Sequence, residues 1–327
     1  VAGWQAGVDG SVLRRLVGYW IDGYDWRAQE DVINRLPHRF AEIEGGRVHY
    51  LYFESEGAST SRPLLLGNGW PSTFLEMVDL AQRLAARGLT VVVPSLPGFA
   101  FSDVRVSLEN SPPTHELWHR LMHDVLGVER YGVHGGDLSS RHVSWLAQAH
   151  PEHVIGLHLC DVENALQDGD VDVTDEERDF LAAEADWQSR EGGYAHQQRT
   201  RPLTLAQGLG DSPSGLLAWI LEKYQAWSDC DGDVSARFSD DFLITQASLY
   251  WFTNTISTSF RDYYERENLL LTSPCVGGGA YSVHVVPCRH RRVAAPQMDR
   301  ATFQPDPLHR HAARRTLRCD GGAGAPC

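Results

Sequence analysis

Gly135-Gly136-Asp137-Leu138-Ser139 sits between an apolar run and a helical one. It fits the nucleophile-elbow pattern, in which a sharp strand-to-helix turn pushes one side chain into the open. Asp137 occupies the slot usually held by serine, and Ser139 replaces the second glycine. A carboxylate there can attack an electrophilic carbon and form an ester, or it can be an idle helix N-cap. A second stretch tips the balance. Gly67 to Phe74, GNGWPSTF, follows a short buried run and can aim the backbone N–H of Trp70 at the same crevice. With the N–H of Leu138 it would form an oxyanion hole.

These residues need a scaffold, and the patterning predicts one. Arg47–Glu54 alternates with a period of two, while Pro63–Gly67, Leu89–Gly98, Tyr131–His134 and Val154–Asp161 are short apolar runs. Helical stretches lie between them, one ending at Gly88 and another around HELWHRLMHDVLG. Alternating strands and helices with near-continuous apolar strands predict a mostly parallel sheet covered by helices on both faces. Residues 1–46 read as a helical, polar-aromatic arm, 47–164 as the α/β core, 165–264 as a Trp- and Tyr-rich helical cap inserted after the sixth strand, and 265–327 as the rest of the core.

Composition limits the function. The chain has 327 residues, 42% of them hydrophobic, enough for a large core. A net charge of -14 disfavours nucleic acid and anionic membranes as partners. No apolar run has the length of a membrane span and no leader pattern opens the chain, so a soluble, cytoplasmic protein without a membrane anchor is expected. No C-x-x-C pair occurs among the six cysteines. Neither metal nor cofactor is expected, and Cys160 and Cys230 read as buried thiols.

The quoted elements resemble epoxide hydrolases of the α/β-hydrolase fold, the microsomal-like branch with an N-terminal arm. The matching pieces are GYDWRAQEDVINRLPHRF, GWPSTFLEM, VVVPSLPGFAFS, GVHGGDLSSR, GYAHQQRTRPLTL, DSPSGLLAWILEKYQAWSD and LYWFTNTISTSFRDYYE, spanning about Leu16 to Glu265. Asn68 departs from the histidine usual before Gly-Trp-Pro, and a backbone role predicts that this is tolerated. The resemblance implies that Asp137 attacks an epoxide carbon to form an alkyl ester, with water as second substrate. Tyr194 and Tyr263 would protonate the leaving alkoxide, with Tyr264 a rival for the second place; a phenol suits because it stays protonated at neutral pH. The implied setting is detoxification or aromatic hydrocarbon catabolism. The aromatic cap (Trp187, Trp219, Trp227, Trp251) hints at a bulky apolar epoxide, though most of these rings are expected in the core.

The second half-reaction requires a histidine base and an acid to orient it. The family carries them in FP-x-[DE] and GGHF motifs, and neither occurs here. His284, His290, His309 and His311 lie late enough but in the wrong context. From Ser273 onward the chain holds eight arginines and three aspartates, with no lysine or glutamate, and four of the six cysteines. One permitted coding of His309–Ala325, read one base later, gives TDMPRGGHFAAMEEPEL; Val286–Arg291 likewise shifts to FPADIA. A frameshift from about residue 285 is therefore expected, with the acid straddling the codons of Arg289 and His290 and the base those of Thr316 and Leu317. The start at Val1, inside the arm, reads as a truncated or misassigned N-terminus.

A chain translated as written is expected to alkylate at Asp137 and stall. Two rivals remain. A haloalkane dehalogenase-like hydrolase shares the nucleophile but usually carries Trp where Leu138 stands. A catalytically dead scaffold with a binding role suits the tail but not the retained Asp137, Tyr194 and Tyr263. Asp161 or Glu163 is a further candidate acid. Oligomeric state, a homodimer among the options, is left open.

Overall fold

The computed structural model describes residues 3–55, 63–105, 111–161 and 174–268, with residues 267 and 268 described by backbone alone, and the backbone of 282–285. Seven strands form one sheet in the order β1-β2-β4-β3-β5-β6-β7: β1 (His38–Ile43), β2 (Gly46–Phe53), β3 (Leu64–Gly67), β4 (Val91–Pro94), β5 (Tyr131–Gly135), β6 (Val154–Leu159) and β7 (Ser282–Val285). β2 pairs antiparallel with both β1 and β4, and the remaining pairs are parallel.

The helices are α1 (Gly10–Asp22), α2 (Trp26–Asn34), α3 (Val78–Ala85), α4 (Thr114–Arg120), α5 (Leu138–Ala149), α6 (Asp175–Glu191), α7 (Gly193–Thr200), α8 (Pro202–Asp211), α9 (Pro213–Ala226), α10 (Asp240–Thr253), α11 (Ile256–Ser259) and α12 (Arg261–Asn268). α6 to α12 follow β6, as the cap predicted from composition should.

Alternation along the strands sorts the core into two layers. Leu65, Val92, Val133 and Leu157 face one way, onto Val143 and Leu146 of α5 and Trp118 of α4. Leu66, Val91 and Val93 face the other, onto Ala81 and Ala85 of α3 and Ile33 of α2. No helix among the described residues is long and apolar enough to cross a membrane.

One boundary needs correction. The stretch 1–46 is not wholly a helical arm, because β1 lies inside it. Glu44 and Gly45 both take positive φ, 51° and 74°, which closes a two-residue hairpin and folds His38–Ile43 back on β2. The helices ahead of it do form an arm, and it grips the cap. Tyr19 donates to Asp241 at 2.6 Å, the Tyr24 hydroxyl lies 2.9 Å from that of Thr245, and Arg15 pairs with Asp240. Glu163, the tail cysteines, His290, His309, His311 and the stretch expected to be out of frame lie outside the described residues, apart from the backbone of 282–285.

Candidate active site

Parallel strands direct the chain toward their C-terminal ends, and the predicted residues converge there. β5 ends at Gly135, the chain turns, and α5 starts at Leu138 with Asp137 at the apex. Asp137 has φ 53° and ψ -128°, a conformation that an L residue holds only when its surroundings enforce it. The enforcement is visible in the glycines. A Cβ on Gly135 would lie 2.5 Å from the Ser139 carbonyl oxygen, and one on Gly67 would lie 2.6 Å from the Ser139 side chain. Only glycine lets strand and helix approach this closely.

The two backbone amides singled out in the sequence converge on the Asp137 carboxylate. Oδ1 accepts from Trp70 N at 2.9 Å and from Leu138 N at 2.7 Å. Both donors are backbone groups, so neither contact depends on the side chain at position 68. Asn68 is buried, its carbonyl accepts from the Ser139 hydroxyl, and its side chain donates to the Gly69 carbonyl at 3.0 Å. Gly69 must be glycine, because a Cβ there would stand 2.6 Å from Asp137 Oδ1. The loop is anchored from the cap: Tyr250 donates to the Ser72 carbonyl and Thr73 donates to Gln246, each at 2.9 Å.

Opposite the carboxylate stands an aromatic wall. Tyr194 of α7 stacks on Trp70 with centroids 5.4 Å apart and planes at 7°. Tyr263 of α12 meets Trp70 edge-on at 6.1 Å and Tyr194 at 5.9 Å. Trp227 closes the third side, 4.7 Å from Tyr194, with Trp187 behind it. The Tyr263 hydroxyl is buried beside that of Tyr194, and the two phenols interact with each other. Tyr264, the rival, is 40% exposed.

Charge distinguishes the two kinds of group. Asp137 is reachable by water yet ringed by protein, and this crevice desolvation lifts its carboxyl to about 6. The Trp70 and Leu138 amides pull it down, while Asp161 and Glu76 push it up. Asp137 is thus mostly ionised at neutral pH. Burial, then the Asp137 charge, raises both phenols further above their ordinary value, so Tyr194 and Tyr263 stay protonated. Glu76 escaped notice in the sequence; it is reachable by water, and the protein crowded around it raises its carboxyl as well. Its only signal was its place in the GWPSTFLEM segment.

Among the described residues, no imidazole hydrogen-bonds to Asp137 or contributes to the shift of its carboxyl. A carboxylate held by two amides and faced by two protonated phenols can displace an oxygen from carbon while the phenols donate to that oxygen.

Comparison with known proteins places the chain in a family. The family profile "Epoxide hydrolase N terminus" matches residues 1–77, and the "alpha/beta hydrolase fold" profile matches residues 62–228. A "putative epoxide hydrolase" of Stigmatella aurantiaca is 35% identical over 276 residues, covering 81% of this chain and 62% of its own length. "Epoxide hydrolase 1" of Sus scrofa is 34% identical, covering 80% and 65%. The chain therefore spans somewhat under two thirds of these relatives. The crystal structure of juvenile hormone epoxide hydrolase from the silkworm Bombyx mori superposes with a TM-score of 0.72 at 30% identity, over 81% of this chain and 69% of that one. The Aspergillus niger epoxide hydrolase gives 0.68 at 27% identity, over 81% and 70%. The chain belongs to the epoxide hydrolase family of the α/β-hydrolase fold.

Proposed function

We propose that the protein opens an epoxide through an ester on Asp137. The observation that carries this reading is one carboxylate held by two amides and faced by Tyr194 and Tyr263. Asp137 Oδ2 attacks an epoxide carbon, the ring C–O bond breaks, and the oxygen leaves as an alkoxide. A phenol O–H donates its proton to that oxygen, giving the free hydroxyl of a hydroxyalkyl ester. Oδ1 becomes the ester carbonyl oxygen, already bonded to Trp70 N and Leu138 N. These amides would stabilise the negative charge that water's attack places on it.

That attack needs a base. The family's acid and histidine are encoded, on this reading, one base away from the printed frame, so the chain as written performs the first half-reaction and stalls before releasing a vicinal diol. The proposed substrate is an apolar epoxide, in keeping with the Trp70, Trp187 and Trp227 wall.

Intact-mass spectrometry with styrene oxide tests both parts. The expected result is one equivalent of epoxide retained on the chain and mapped to Asp137. Rapid multiple turnover overturns the stall, and an unmodified chain overturns the reading in favour of an inactive scaffold. Chloride release from a chloroalkane would favour the dehalogenase reading, which Leu138 argues against. Sequencing the gene through the codons for Val285 to Thr316 decides the frame.

A further inference from the structure

Beneath the elbow, on the sheet face opposite α5, lies a cluster that the proposed reaction does not use. His134 of β5 and His158 of β6 are directly in register, so their side chains emerge from neighbouring strands on one face. Their Nδ1 atoms face each other at 2.7 Å, with ring centroids 4.8 Å apart. Cys160 follows two residues after His158, and its backbone N–H donates to the Gly135 carbonyl at 3.1 Å. The three donor atoms, two imidazole nitrogens and one thiol sulfur, all lie within 4.8 Å of one another. All three residues are half-buried, so an ion has a route in.

We infer that His134, His158 and Cys160 form a binding site for a divalent transition metal of the zinc class. The donor set selects the ion: two imidazoles and a thiolate suit borderline-soft cations and reject magnesium and calcium. The geometry needs little change. Two nitrogens on a tetrahedral zinc stand about 3.3 Å apart, so the rings must part by roughly 0.6 Å, within reach of a small χ rotation. Water takes the fourth position.

The two Nδ1 atoms stand at hydrogen-bond distance, so one of them carries a proton shared between the rings. As the metal binds, that proton moves to the Nε2 of its own ring and the thiol proton passes to solvent. The sheet register supplies rigidity, since it fixes both histidines through backbone hydrogen bonds. The location links the site to the elbow: Gly136, the residue before Asp137, packs against Cys160, with a Cβ built on Gly136 lying 3.6 Å from Cys160 Cβ. A metal here would brace the turn that holds the nucleophile.

The test is titration of the full chain, stripped of metal, with Co²⁺ and Zn²⁺. Binding to this site predicts a thiolate-to-cobalt charge-transfer band, a rise in Tm with Zn²⁺, and loss of the band in Cys160→Ser. His134→Gln and His158→Gln should each weaken Zn²⁺ binding by more than about tenfold, with folding checked by circular dichroism. Replacing Cys275, Cys288, Cys319 and Cys327 together by serine separates the tail thiols from this site, and the band must survive that change. His153→Gln does the same for the separate surface group His123, Glu129 and His153. No cobalt band, or a band that persists in Cys160→Ser, overturns the site.

Discussion

Arg141, on the first turn of the helix that Asp137 begins, forms a buried ion pair with Asp262, the residue immediately before Tyr263. Burial alone would raise the Asp262 carboxyl, but Arg141 and His142 hold it well below the usual carboxylate range. The pair therefore couples the position of the cap phenol to the helix that carries the nucleophile. Asp262→Asn strands a buried guanidinium and should destabilise the fold by about 3–5 kcal/mol, read as a fall in Tm. It should also slow alkylation of Asp137, and that kinetic effect should shrink in a Tyr263→Phe background. Equal slowing in both backgrounds would show that the pair does not act through Tyr263.

Removing either phenol tests the acid assignment. Tyr194→Phe and Tyr263→Phe are each expected to reduce the single-turnover alkylation rate by roughly 10²-fold, the lower range for loss of a general acid. Tyr264→Phe should leave it unchanged, because that side chain faces solvent. The measurement is adduct mass against time, with Asp137→Asn as the variant that gains no adduct.

The alkylation rate should depend on one ionisation below neutrality. The nucleophile is the carboxylate, and its carboxyl is raised to about 6, so the rate rises with pH through that value and then levels. Both phenols are shifted upward, so no falling limb is expected up to about pH 9. A fall between pH 7 and 9 would mean that a group other than these phenols supplies the proton.

Gly69→Ala tests close approach. Its Cβ would intrude on the Asp137 carboxylate, forcing the elbow or the Trp70 loop to move. Alkylation should drop by at least about 10²-fold, the scale for losing one oxyanion donor, while the far-ultraviolet circular dichroism stays native.

Acid should weaken the fold. Burial lowers His49 to about 3 and His115 and His134 to about 4, whereas the unfolded chain binds these protons near 6.5. The unfolded state thus holds more protons across this window, and stability falls as pH drops from about 6.5 toward 4. Thermal melts should show the loss, and His49→Gln should flatten part of it.

Much of this was legible in the sequence, for identifiable reasons. The elbow could be read because a tight strand-to-helix turn restricts which residues fit, leaving Gly135, Gly136 and Ser139 as a local signature. The cap could be read because its aromatic helices interrupt the βα rhythm. β1 was missed because Phe40 is exposed on its outer face and blurs the two-residue alternation, even with the Gly45-Gly46 turn signal beside it. The His134, His158 and Cys160 cluster was missed because strand register, not sequence spacing, brings it together. The Arg141–Asp262 pair joins residues 121 positions apart, a tie that only the docking of cap on core reveals.

β6 and β7 lie side by side in the sheet, although seven described helices fall between them in the chain. Among the described elements the cap thus occupies one strand-to-strand connection, and nothing in the hydrogen-bond ladder depends on its length. Lineages can rebuild the cap, and with it the shape of the substrate chamber, while the strands and the elbow keep their register. The two phenols travel with the cap while Asp137 stays with the sheet, so a rebuilt cap must still return Tyr194 and Tyr263 to the elbow.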